Sequence, residues 1–105
     1  FAGLPFADKS FDVVCASFVV HGFHKKFRKK MYAESSRIAK SKVIYHDYGK
    51  GLPSIPVLLI ELLEMIVGGD YLNFRKNGLK EMKENFKTVI EKKINPSLSW
   101  YICEI

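Results

Sequence analysis

A chain of 105 residues suffices for one small domain and is short for a doubly wound α/β enzyme. Nearly half of it is apolar (48%) and only four residues are proline, which excludes general disorder. The net charge of +6 is spread over several segments. Its densest run, His24-Lys25-Lys26-Phe27-Arg28-Lys29-Lys30, is accompanied by no aromatic-interleaved RNA-binding signature and reads as a solvated helix start rather than a nucleic-acid contact.

In chain order, residues 1–10 hold Gly, Pro, Asp, Lys and Ser and read as a loop. Residues 11–17, FDVVCAS, have the valine-rich character of a strand buried on both faces of a parallel sheet. A helix is expected over 27–40, with Phe27, Met31, Ser35 and Ile38 on the inward stripe and Arg28, Lys29, Glu34 and Arg37 outside. Residues 42–48 form a second strand, closed by Gly49 and Gly51. Strand, helix, strand makes a βαβ unit with a right-handed crossover.

Ser54 is placed to cap a helix over 55–67 that tolerates Pro56 in its first turn and ends at Gly68-Gly69. That helix is apolar nearly all round, interrupted by Glu61 and Glu64, and too short to span a bilayer; the expectation is a core helix. A last helix starts at Asn73 or Asn77 and runs through Asn85, turning Leu79, Met82 and Phe86 inward. Strands follow over 87–94 and 98–105. The short Asn95-Pro96 turn forces them to be antiparallel. Cys15 and Cys103 both fall in strands, so reduced, buried thiols and a cytoplasmic location are expected.

Residues 4–21 read LPFADKSFDVVCASFVVH. This stretch resembles the middle of a class I S-adenosylmethionine (SAM)-dependent methyltransferase, where an LPF-x-D-x-SFD loop runs into a buried strand. The similarity extends in element order over the whole chain, and Asp70-Tyr71-Leu72-Asn73-Phe74 followed by Asn77-Gly78-Leu79 is similar to segments of some members. The family's glycine-rich cofactor motif does not precede the stretch in this sequence. The resemblance therefore implies an α/β fold corresponding to the C-terminal half of a Rossmann-like methyltransferase over residues 1–105, a parallel strand pair plus a terminal antiparallel hairpin with helices. The last strand would lie between the second and third.

The family's cofactor contacts carry over to Ala2, Gly3 and Leu4 beside the adenine and to Ala16, Ser17, Phe18 and His21 beneath the methionine portion. Many relatives have a His-His pair where this chain has His21-Gly22. The resemblance implies SAM as cofactor of the full-length parent and a small-molecule methyl acceptor. It implies too that the chain alone is inactive, because one wall of the site is missing. Ligands of open α/β sheets sit at the carboxyl ends of the strands, which makes His21 and Tyr48 the catalytic candidates. Asp8 and Asp12 read as turn and strand-start residues rather than a catalytic carboxylate pair. His21, His24 and His46 fit no common zinc spacing, so no metal site is expected. A non-enzymatic alternative is a self-associating α/β module, a homo-oligomer joined through the exposed edge of the first strand.

Overall fold

The computed structural model describes residues 3–49, 55–66, 69–95 and 97–105. The proposed roles of Ala2, Gly51, Ser54, Val67, Gly68 and Pro96 lie outside these residues. Among them four strands form one mixed sheet with the order β1-β2-β4-β3. β1 (Phe11–Ser17) runs parallel to β2 (Ala39–Tyr48), and β4 (Leu98–Glu104) lies antiparallel between β2 and β3 (Thr88–Lys93). This is the expected order. The helices are α1 (Lys25–Ile38), α2 (Ile55–Ile66) and α3 (Tyr71–Asn85). No helix among the described residues is long and apolar enough to cross a membrane.

The core occupies one face of the sheet. Met31 and Tyr32 of α1 and Phe74 and Met82 of α3 pack with Phe86 on Val43, Tyr45, Tyr101 and Cys103. Alternation along the strands sends Val14 and Ala16 to this side. The opposite face is uncovered: Val13, Cys15, Ile90 and Trp100 are exposed. Two expectations change here. β1 is not buried on both faces: among the described residues no helix lies over its second side, and it ends the sheet. Cys15 is exposed for the same reason, while Cys103 is buried as expected.

α1 begins at Lys25, earlier than expected, and its inward stripe is Arg28, Met31, Tyr32, Ser35 and Ile38. Phe27 is exposed, and Arg28 is 0% exposed. The Arg28 side chain turns inward because every donor it carries has an acceptor there. Nε and one terminal nitrogen donate to the two carboxylate oxygens of Glu81, both at 2.8 Å. The other terminal nitrogen donates to the Phe23 carbonyl at 2.7 Å and to Asp70 at 3.1 Å. A buried charge is tolerated only when paired and hydrogen-bonded this fully. The pair fastens α1 to α3.

α3 starts at Tyr71, before either expected asparagine. It buries Tyr71, Phe74, Gly78 and Met82, while Leu79 is only partly buried. Gly78 is required by a close approach: a Cβ there would lie 2.4 Å from a ring carbon of Phe74. α2 reverses the expected arrangement. Leu59, Leu63 and Ile66 are exposed, and Glu61 is its buried residue among the described side chains. Among its described side chains the one turned inward is the Glu61 carboxylate, not a leucine.

Candidate functional site

The carboxyl ends of β1 and β2 are adjacent, with Ser17 opposite His46. Phe18 breaks the strand with a positive φ of 55°, and its N–H donates to the His46 carbonyl at 2.8 Å. This reversal starts a short 3-10 turn, Val20–Gly22, whose leading amides have no partner within the turn. Asp47, fully buried near the end of β2, supplies one. Its Oδ2 accepts from the N–H groups of Val20 at 2.9 Å and His21 at 3.2 Å. Its Oδ1 accepts from the Tyr48 N–H and lies 2.8 Å from Nδ1 of His21.

That contact fixes the imidazole. A carboxylate at Nδ1 places the ring proton there and leaves Nε2 facing away from the strand. Nε2 lies 3.3 Å from Oε1 of Glu61 and 3.6 Å from Oε2 of Glu64. The two glutamates are about one helical turn apart on α2, so both reach the imidazole, Glu61 from a buried position and Glu64 from an exposed one. Rings enclose the group: His21 lies 4.8 Å from Tyr48, Tyr48 lies 5.2 Å from Tyr71 and 5.8 Å from Phe18. The site draws on β1, β2, α2 and the first residue of α3.

Burial works against a charged His21, but the Asp47 hydrogen bond and the charges of Asp47, Glu61 and Glu64 outweigh it, so its pKa is raised. Burial raises the pKa of Glu61, and the neighbouring Glu64 adds to the shift. Burial also pushes the Tyr48 phenol up to about 12, helped by the Glu61 charge and a hydrogen bond to it. The phenol thus stays protonated at neutral pH. His21 Nε2 and the oxygens of Glu61 and Glu64 all lie within 4.8 Å of one another, close enough to share one cation.

Of the seven residues expected to contact a cofactor, the six that are described do not gather at one end. Ser17, Phe18 and His21 lie at the carboxyl ends of the strands. Ala16 stands one residue earlier, packed on the core. Gly3 and Leu4 lie beside the last turns of α1, at the amino end of β1. There the Leu4 N–H donates to Glu34 at 2.9 Å and its carbonyl accepts from Arg37 at 3.1 Å. The Leu4 backbone groups are engaged in tying the loop to α1, away from Phe18. Arg37 also bonds Asp8 at 2.9 Å, and Asp12 stands exposed near Lys40, so neither aspartate reaches the site.

The two catalytic candidates, His21 and Tyr48, do meet. Sequence reasoning missed Asp47, Glu61, Glu64 and Tyr71. For the glutamates a signal was present: two carboxylates three residues apart on one side of an otherwise apolar helix. His24 and His46 are elsewhere. His24 approaches Asp70, and His46 lies between Phe18 and Trp100. On the uncovered face, Cys15, Ser17, Ile44, His46 and Trp100 line a shallow hollow.

Residues 1–45 match a family model described as a methyltransferase domain. No curated protein matches the chain. The matched segment contains β1, α1 and most of β2, and with them Phe18 and His21; it ends two residues before Asp47. Over this strand–helix–strand unit the chain is similar to methyltransferase domains, and its mixed four-stranded sheet is compatible with their fold.

Proposed function

We propose that the chain is the acceptor-side part of a SAM-dependent methyltransferase acting on a small molecule, with a sheet corresponding to the second half of the Rossmann-like fold. The observation that carries this reading is the position of the His21–Asp47–Tyr48 group. It stands at the carboxyl ends of the parallel strands, where His21, inside the segment similar to methyltransferase domains, meets Asp47 and Tyr48 just past its end. That is where ligands of such sheets bind.

SAM supplies a methyl group already activated on a sulfonium, so the protein's main task is alignment. Ser17 and Phe18 offer the flank of the cofactor. The half-exposed Phe18 ring is held in place by its backbone bond to His46. His21 and Tyr48 border the acceptor. Asp47 fixes the imidazole so that Nε2 faces this space, and the protonated Tyr48 phenol can donate to an acceptor oxygen. The setting is cytoplasmic in this reading, in keeping with two free cysteines.

Titration of SAM into isotopically labelled chain, followed by amide resonances, tests it. Weak binding in the millimolar range should perturb Ser17, Phe18 and His21 and leave Gly3 and Leu4 unmoved, because the ribose and adenine partners are not among the described residues near Phe18. Shifts at Gly3 and Leu4 alone, or none at all, contradict the reading.

A second reading, the self-associating module, is favoured by a separate observation. β1 ends the sheet, and the face it shares with Ile90 and Trp100 is apolar and uncovered. Light scattering decides it: a dimer or larger species supports it, and a folded monomer at micromolar concentration removes it.

A further inference from the structure

We propose that His21, Glu61 and Glu64 bind one divalent transition-metal cation, with zinc the best match. The inference stands on side-chain geometry and does not depend on the methyl-transfer reading.

The donor set is one imidazole nitrogen and two carboxylates, and the spacing suits a single ion. Ligand atoms about 2.1 Å from a tetrahedral zinc are about 3.4 Å from one another. His21 Nε2 stands 3.3 Å from Glu61 and 3.6 Å from Glu64. Small rotations of the glutamates would bring both carboxylates to that separation.

The second observation is what holds the histidine. Metal-binding imidazoles characteristically donate their other N–H to a carboxylate, which fixes the tautomer and the ring plane. Asp47 does this at 2.8 Å. It is itself pinned by the backbone amides of Val20, His21 and Tyr48. The ligand is therefore oriented before any ion arrives.

Charge points the same way. Three carboxylates converge on one imidazole, an oxygen-rich surrounding suited to a cation. Glu61 is only 2% exposed, and burying carboxylates together is costly without a counter-charge. α2 nevertheless turns this face inward and its leucines outward. The Glu64 side chain is about half exposed (47%), which leaves a way in and a fourth coordination position open to water or to an acceptor atom. The imidazole argues against magnesium, which prefers oxygen ligands.

Zinc chloride titrated calorimetrically into the chain, in buffer free of chelators, is the test. One equivalent should bind with micromolar or tighter affinity and raise the unfolding temperature, and magnesium at the same concentration should give neither effect. Glu64→Gln should weaken zinc binding at least tenfold while the metal-free chain still folds cooperatively, since its side chain is about half exposed. Asp47→Asn should weaken it by about 10- to 100-fold, the usual cost of losing such a support. His24→Gln, on an exposed histidine, should leave affinity unchanged. Absence of zinc binding at millimolar concentration overturns the proposal. Wild-type affinity in both Glu64→Gln and Glu61→Gln overturns it equally, because the ion would then sit elsewhere.

Discussion

α2 and α3 are of similar length, 12 and 15 residues, and they are attached to the sheet by opposite kinds of surface. α3 turns Tyr71, Phe74 and Met82 inward, and its one buried carboxylate, Glu81, is matched by Arg28. α2 turns leucines outward and meets the sheet through Glu61, which reaches His21 and Tyr48. The contrast separates two uses of a helix. α3 is held by apolar area and by an ion pair whose donors are matched. α2 is positioned by the polar groups of the candidate site, so its placement and the site's chemistry are one property.

The contrast breaks most visibly at Arg28. Arg28→Met leaves Glu81 buried without its partner and should cost about 3–5 kcal/mol in urea unfolding. A loss below about 1 kcal/mol would mean that apolar packing alone joins α1 to α3. Gly78→Ala sharpens the packing side of the comparison. Alanine favours the helix by about 1 kcal/mol, but the new methyl meets the buried Phe74 ring, and overpacking costs about 1–3 kcal/mol. A net loss of about 1 kcal/mol is expected. A gain in stability would show that the ring moves freely.

A smaller effect is expected at the loop before β1. The Arg37 hydrogen bonds and the Leu4 N–H lower the Glu34 pKa to about 2 from its ordinary 4.5. The folded value lies below the unfolded one. The stabilisation is therefore complete above pH 4.5 and is lost as pH falls toward about 2. Glu34→Gln should flatten that part of the stability curve by lowering its neutral-pH end, and should change the acid end least. The smallest effect belongs to α2. Leu63 is 66% exposed, and Leu63→Gln should change stability by no more than about 0.5 kcal/mol. A loss of several times that would show that something covers this face in solution.

Two pairings were legible from local rules: a helix-length crossover makes β1 and β2 parallel, and a short turn makes β3 and β4 antiparallel; the place of β4 beside β2 came from the family resemblance. What escaped was direction at charged positions. Arg28 sits in a run of lysines that differ from it little in hydropathy. Its burial is made favourable chiefly by the distant Glu81, Asp70 and Asn73, and no local pattern reports them. α2 escaped for the complementary reason. Its hydropathy says that apolar surface exists, not which side faces the protein, and the deciding partners are His21 and Tyr48 on other elements. Of the candidate site, His21 and Tyr48 were readable from their place after strand ends. Asp47 was not, because its role depends on a turn that closes 26 residues earlier.

Asp47 also links that turn to the sheet in time. The amides of Val20 and His21 belong to no strand ladder, and in a surface turn such protons exchange with solvent within local fluctuations. Here both point into one buried carboxylate. Their release requires the end of β2 to separate from the turn, a sub-global opening rather than a local one. Deuterium should therefore enter these two positions at the slow rate of the β2 amides, which would make the turn and the central strand a single opening unit.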